Sequence, residues 1–200
     1  MVRHWLMKSE PDAFGIDDLV RVKVEPWTGV RNYMARNYMR DQMQVGDLVL
    51  FYHSNAKPPG VAGLATVART GVVDATQFDP ASQYHDPDSR PDEPRWICVD
   101  VELVRKLPRL VPLDELRAHP GLGGMVLLQK GSRLSVQPVS PEHYALVVAL
   151  ADGAAPGHAP MPKGASAGTK APPAGKKASA SKKASAGKSA PASKARARRA

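Results

Sequence analysis

The stretch MQVGDLVLFYHSN (residues 43–55) decides the fold. Gly46 and Asp47 predict a turn, and the five apolar residues after it, 48–52, form an uninterrupted run typical of a strand buried on both faces. The next largely apolar stretch, residues 61–73, is broken by glycines and predicts an antiparallel neighbour of that strand. The centre of the fold is therefore predicted to be a β-sheet.

Strands and helices are arranged irregularly around this centre. Residues 96–104 (WICVDVELV) alternate with a period of two and predict another strand. Because the regular strand–helix alternation of a doubly wound sheet is missing, the pattern favours an α+β fold, as a small closed or partly closed barrel with flanking helices. We also predict a strand at 133–139, a long loop at 74–95, and helices at 17–20, 31–42, 113–118 and 140–150.

The net charge of +9 is distributed very unevenly along the 200 residues. Residues 151–200 hold 11 of the 28 Lys and Arg but one of the 19 Asp and Glu, so residues 1–150 are close to neutral. The C-terminal stretch also contains no Leu, Ile, Val or aromatic residue that would favour burial. We predict one globular domain at 1–150 and a disordered basic tail at 151–200.

Several classes of protein are disfavoured. A single cysteine is incompatible with a disulfide framework and fits a reducing compartment. No run of 18 apolar residues predicts a membrane span, and Arg3 and Lys8 interrupt the N-terminal apolar run too early for a signal peptide. We expect a cytoplasmic protein with no membrane partner, associated with the nucleoid if the source is bacterial.

Signatures of catalysis and of cofactor binding are sparse. There is no GxxxxGK[ST] phosphate loop, no GxGxxG after a strand and no GxSxG elbow, although a Ser-His-Asp site is not excluded by sequence. None of the six histidines has the spacing of a zinc ligand pair, and Cys98 lies mid-strand, where packing is its expected role. We therefore expect neither a metal nor a cofactor.

Short polar side chains occur beside aromatic and apolar residues in five places. Aromatic faces stack on nucleobases, and hydroxyl, amide and backbone groups read their edges, so this mixture favours recognition of a planar heterocycle. Enclosing a single base would require flipping it out of its stack. The five clusters are residues 5–11, 27–33, 51–55, 84–86 and 133–139.

Each cluster also has a purely structural interpretation. Trp5 and Trp96 fit a hydrophobic core better than a binding cage, whereas Trp27, between Pro26 and a glycine-containing turn, fits either role equally. His53 fits a hydrogen-bonded residue at a strand end, and Arg133 fits an ion pair with one of the acidic residues of the domain.

Seven strings follow one another along the domain: WLMKSEP (5–11), WTGVRNYMARN (27–37), MQVGDLVLFYHSN (43–55), PGVAGLATV (59–67), FDPASQYHD (78–86), PRWICVDVE (94–102) and RLSVQPVS (133–140). Taken together and in this order, they resemble the EVE domain family. The resemblance extends over residues 3–150 and leaves the tail outside.

The resemblance implies a PUA-like fold, a strongly bent small β-barrel with flanking helices that is related to YTH domains. It also implies a non-catalytic reader of modified bases, notably modified cytosine in DNA. One departure is Met34, where many relatives carry a polar residue such as Gln. The implied base-binding residues are Lys8, Ser9, Trp27, Gly29, Val30, Arg31, Asn32, His53, Ser54 and Asn55, with Tyr84, Asp86 and Arg133 as further candidates.

Three functions follow from the sequence. The first is a reader of a modified base in DNA or RNA, with Trp27 stacked on the base and a tail that adds nonspecific affinity for phosphates. The second is an enzyme acting on a modified base or nucleotide, with Glu10 or Asp86 as acid/base and His53 as proton carrier. The third is a protein-interaction module. For the tail, a merely solubilising role is the alternative to phosphate binding.

Overall fold

The computed structural model describes residues 1–153, which form a mixed six-stranded sheet with helices around it. The predicted tail at 151–200 lies outside the described residues from 154 onward. The strands, with spatial order β2-β5-β4-β3-β1-β6, are β1 (His4–Ser9), β2 (Val24–Pro26), β3 (Leu48–His53), β4 (Gly60–Val73), β5 (Ile97–Pro112) and β6 (Val136–Val139).

The helices lie between these strands and after the last of them. They are α1 (Pro11–Phe14), α2 (Ile16–Val22), α3 (Tyr33–Asn37), which continues as a π-helix (Tyr38–Gln42), α4 (Leu113–Ala118) and α5 (Pro141–Ala151). Short 3-10 turns cover Ala75–Phe78, Pro120–Leu122 and Val126–Leu128. Among the described residues, the helices are too short or too polar to cross a membrane.

Strands β1 and β3 lie in the interior of the sheet and are parallel to one another. Alternate side chains of β3 enter two different hydrophobic clusters: Val49 and Phe51 lie on one face, and Leu50 and Tyr52 on the other. The prediction that residues 48–52 are buried on both faces is therefore confirmed, as is their antiparallel pairing with β4.

The α+β class is confirmed, and the sheet is not closed, because β2 and β6 are its two edges. Of the two predicted forms, the closed barrel is therefore wrong. Long, irregular pairing between β4 and β5 bends the sheet instead, with register shifts at four places along the pair.

The predicted helix at 31–42 begins two residues late and changes type. The side chain of Asn32 caps α3 by accepting hydrogen bonds from the backbone N–H groups of Met34 (2.9 Å) and Ala35 (3.1 Å). At its end, the N–H of Met43 bonds the carbonyl of Tyr38, five residues earlier, at 2.9 Å. The strand predicted at 133–139 is also shorter and begins at Val136.

Trp5 and Trp96 are core residues, as predicted, with 2% and 5% of their surfaces exposed. Asp47 fixes Trp5 in place, because its carboxylate accepts hydrogen bonds from Trp5 Nε1 (2.9 Å) and from the N–H groups of Arg3 and Gln44. Cys98 is buried as well, and burial raises the pKa of its thiol to about 12, which agrees with a packing role.

Candidate functional site

A cavity of about 700 Å³ opens where the end of β1 meets α1, β2 and four connecting segments. Nine of the thirteen residues predicted from sequence line it, which are Lys8, Ser9, Trp27, Gly29, Val30, Arg31, Ser54, Tyr84 and Arg133. The other lining residues are Glu10, Ala13, Phe14, Glu25, Pro26, Thr28, Gln83 and Ser135.

Trp27 is held rigidly in the wall of this cavity. Its backbone N–H donates to the carbonyl of Val99 at 2.8 Å, which ties it to the sheet immediately after β2. Its ring packs edge-to-face with Phe51, at 5.4 Å between centroids and 83° between planes. Only 7% of Trp27 is exposed, so it offers the cavity a limited and well-fixed part of the ring.

Arg31 and Asp74 join the loop after Trp27 to the segment that follows β4. Arg31 Nη1 donates to Asp74 Oδ2 at 2.7 Å, and the same oxygen accepts the N–H of Gly29 at 2.9 Å. Other nitrogens of Arg31 donate to the carbonyl of Tyr84 and to the hydroxyl of Thr76. Because all of these partners lie within the protein, Arg31 supports the cavity wall instead of offering a free charge.

Asp74 remains ionised in this setting. Burial alone would raise its pKa, but the hydrogen bonds from Arg31, Thr76 and Gly29 outweigh burial, and the net effect lowers the pKa of Asp74. The ion pair is almost enclosed, with 2% of the Asp74 side chain exposed. Losing either partner would leave a buried, uncompensated charge.

Tyr84 closes over Gly29. A Cβ atom built at Gly29 would lie 2.8 Å from Cε2 and Cζ of the Tyr84 ring, and Gly29 has a φ of +80°. Both facts require glycine at this position. The guanidinium of Arg31 lies 5.5 Å from the centroid of the same ring. The segment at 74–95, predicted as a long loop, thus contributes a fixed aromatic wall.

The cavity lining also carries hydroxyl and cationic groups. Ser9 Oγ donates to the carbonyl of Phe14 at 2.7 Å, and the N–H of Ser54 donates to the carbonyl of Ser9 at 2.9 Å. Lys8 is half-buried, unlike the other four lysines of residues 1–153, and burial lowers its pKa. Arg133 forms no ion pair within residues 1–153, contrary to its structural interpretation, and it faces the cavity.

Four predicted site residues lie outside the cavity lining and have other partners. Asn32 caps α3, and Asn55 Nδ2 donates to Glu10 at 3.3 Å. His53 Nε2 accepts the N–H of Ile16 at 3.0 Å, in agreement with its interpretation as a hydrogen-bonded residue at a strand end. Asp86 accepts Trp96 Nε1 at 2.6 Å and pairs with Arg95.

Phe14, Glu25 and Gln83 line the cavity although the sequence did not single them out. Glu25 had a detectable signal, because it stands two residues before Trp27 and alternation along an extended chain places both on one side. Phe14, whose ring centroid lies 6.3 Å from that of Phe51, had no comparable signal in the sequence. Within residues 1–153, His, Cys, Asp and Glu form no cluster able to hold a metal ion.

Comparisons with known proteins agree with this architecture. A family model for the EVE domain matches residues 3–150. Thymocyte nuclear protein 1 from Homo sapiens is 43% identical over 169 residues, which cover 74% of this chain and 73% of that protein.

Two solved structures are similar over nearly their whole length. A crystal structure of a Pseudomonas putida protein is 49% identical, with a TM-score of 0.71, and covers 74% of this chain and 99% of its own. The crystal structure of the human THYN1 protein in complex with DNA containing 5-methylcytosine is 40% identical, with a TM-score of 0.70. The match covers 75% of this chain and 98% of the THYN1 chain.

Proposed function

This chain belongs to the EVE domain family, and we propose that it is a non-catalytic reader that holds a modified cytosine of DNA in the cavity beside Trp27. One observation carries the proposal: the cavity is lined by Trp27, Tyr84 and polar side chains in a fold that a relative uses in complex with DNA containing 5-methylcytosine. The cavity lining and the DNA complex of the relative therefore support the same binding function.

The dimensions of the site suit a base that has left the helical stack. Ligand cavities of roughly 300–1,000 Å³ enclose most of a small ligand, and the volume of about 700 Å³ lies within that range. Stacking on an aromatic ring contributes roughly 1–3 kcal/mol per base and offsets part of the cost of flipping. Trp27 supplies this contact in our proposal, and Tyr84 and Phe14 are further aromatic residues of the cavity lining.

The methyl group alone gives limited selectivity. One methylene in an apolar pocket is worth roughly 1–3 kcal/mol, so the preference for a modified over an unmodified cytosine is expected to be about 10- to 200-fold. The apolar residues that line the cavity include Phe14 and Val30. RNA is the alternative polymer for the same cavity, and matched RNA oligonucleotides test it.

The competing enzymatic function requires acid/base groups close to one another, and the structure does not bring the candidate groups together. Of Glu10, Asp86 and His53, Glu10 alone lines the cavity, while the other two are bonded elsewhere. Release of a new base or nucleotide from a modified oligonucleotide on long incubation would support that enzyme and contradict a pure reader.

Phosphate binding by the basic tail is a separate part of the proposal. A segment with eleven Lys and Arg would hold the protein on DNA without reading sequence and would raise the effective concentration of the cavity. We propose the cytoplasm as the location, and the nucleoid if the source is bacterial; the human relative carries the word nuclear in its name.

The experiment that tests the role of the cavity compares Trp27→Ala with Trp27→Phe in the full chain. We expect Trp27→Ala to weaken binding to a 5-methylcytosine duplex by about 5- to 150-fold, the range of one base stack, and Trp27→Phe to keep most of it. Fluorescence anisotropy gives both affinities. If Trp27→Ala binds as tightly as the parent, the base does not stack there.

A further inference from the structure

A pocket that recognises only the methyl group cannot distinguish 5-methylcytosine from thymine. Thymine and 5-methylcytosine carry the same methyl group at the same ring position. They differ at position 4, where cytosine has an amino group that donates hydrogen bonds and thymine has a carbonyl oxygen that accepts them, and at position 3, where cytosine accepts and thymine donates. A pocket that rejects thymine must therefore recognise this edge of the base, and a carboxylate is suited to accept from the 4-amino group.

Glu25 is a carboxylate in the appropriate place. It lies at the middle of β2, half-buried between the exposed residues Val24 and Pro26, and its side chain lines the cavity. In the register of β2 with β5, Glu25 is directly opposite Val101, which belongs to the same buried cluster as Trp27. Glu25 therefore points to the side of the sheet on which Trp27 lies.

The carboxylate of Glu25 has no partner within residues 1–153: it forms no side-chain hydrogen bond and no ion pair within 4.0 Å. Lys8 lines the same cavity and is also without an ion pair within residues 1–153, so the cavity holds one acidic and one basic group that do not pair with each other. A ligand that accepts on one edge and donates on the other matches both of them. Cytosine has this pattern, with acceptors at O2 and N3 and a donor at the 4-amino group.

The second carboxylate of the cavity is less suited to this role. Glu10 is exposed and already accepts a hydrogen bond from Asn55 Nδ2 at 3.3 Å. Glu10 immediately precedes α1, whereas Glu25 lies on β2, two residues before the buried Trp27.

We propose that Glu25 accepts a hydrogen bond from the 4-amino group of the bound cytosine and thereby excludes thymine, an inference that rests on the proposed function. With thymine in the cavity, the carboxylate would face a carbonyl oxygen, and two acceptors would meet without a proton between them. A half-buried carboxylate left in that state also loses the water that solvates it, which adds to the cost.

The test compares Glu25→Gln with the parent, in the full chain, on three duplexes that differ at one position: 5-methylcytosine, cytosine and thymine, each with its normal partner base. A glutamine amide is the same size as the carboxylate and presents either an acceptor or a donor. We expect Glu25→Gln to lower the ratio of 5-methylcytosine to thymine affinity by about 5- to 150-fold. Because every variant is measured on the same DNA, the cost of opening each base pair cancels.

Glu102→Gln is the matched control. Glu102 is exposed on β5, opposite Val24, and its substitution makes the same chemical change one strand away from the cavity. We expect it to leave the ratio as in the parent. Equal melting temperatures of the two variants establish that both are folded.

The outcomes separate the two proposals. If the parent prefers 5-methylcytosine to cytosine but Glu25→Gln keeps the parent's discrimination against thymine, the role of Glu25 is wrong and the reader function stands. If Glu10→Gln relaxes the ratio instead, the carboxylate that reads position 4 is Glu10. If the parent shows no preference among the three duplexes, the reader function fails and the role of Glu25 fails with it.

Discussion

At the scale of single residues, Gly29 connects a backbone requirement to the shape of the cavity. Its φ of +80° favours glycine, and any Cβ there would lie 2.8 Å from the ring of Tyr84. We expect Gly29→Ala to lower the free energy of unfolding by about 1–3 kcal/mol and to weaken binding of 5-methylcytosine DNA, because Tyr84 must move. Urea unfolding and anisotropy titration measure the two effects.

Gly46→Ala is the matched control for this substitution. Gly46 also has a positive φ, +91°, but no atom lies within 4 Å of a Cβ built there. Gly46→Ala therefore carries the energetic cost of a positive φ but no steric clash with a neighbouring side chain. If both variants bind DNA equally well, Tyr84 is not a functional wall of the cavity.

The sequence predicted residue types at the site better than it predicted their roles. Trp27, Ser9 and Lys8 line the cavity as expected, since polar–aromatic strings at strand ends tend to converge. Asn32 and His53 belong to strings of the same kind, but their side chains accept hydrogen bonds from backbone N–H groups, at the start of α3 and of α2. The local backbone conformation determines which of several adjacent polar residues faces a ligand, and the amino-acid sequence alone does not specify that conformation.

At the scale of secondary-structure elements, His53 couples the end of β3 to the start of α2. Its Nε2 accepts the N–H of Ile16 and must be neutral to do so. Burial lowers the pKa of His53 below its ordinary value of 6.5, and Lys106 adds to this, while Asp17 opposes it. The stability that this residue contributes is therefore complete above pH 6.5 and is lost as the pH falls through the lowered pKa.

We expect His53→Gln to reduce this pH dependence. Glutamine keeps an acceptor for the N–H of Ile16 but does not titrate, so the parent should lose more stability than the variant between about pH 7.5 and pH 5.5. Thermal melts at both pH values give the comparison. His4, whose pKa burial also lowers, titrates in both proteins and cancels. Identical pH dependence of parent and variant would contradict the role of His53.

Elements with strong local signals were predictable and irregular ones were not. The helix at α4 has the predicted bounds, and Ser140 caps α5 through a 3.1 Å hydrogen bond from the N–H of His143. The π-helix at Tyr38–Gln42 had no signal, because it depends on how Met39 and Met43 pack in the core. The sequence also had no signal for the open sheet, because closure depends on whether the edge strands β2 and β6 pair with each other.

At the scale of the whole molecule, the chain combines a near-neutral domain with a strongly basic C-terminal stretch. We expect a chain ending at Gly153 to keep its preference for 5-methylcytosine but to bind more weakly and to show a shallower salt dependence than the full chain. The slope of log K against log salt falls by roughly 0.9 for every phosphate that the protein no longer neutralises. Titrations at several salt concentrations measure both quantities.

The shorter chain keeps residues 3–150, which the EVE family model matches, and all six strands of the sheet. If removing residues 154–200 changes neither the affinity nor the salt slope, the tail has a solubilising role instead.

The central claim is that the cavity beside Trp27 reads a modified cytosine, and one measurement tests it most directly. The full chain is titrated against two duplexes that differ only in a methyl group on one cytosine, at low and at physiological salt. We predict a preference of about 10- to 200-fold for the methylated duplex that persists at both salt concentrations, because the methyl contact is apolar. Equal affinity for the two duplexes, falling together as salt rises, would contradict the claim and leave only charge-driven binding.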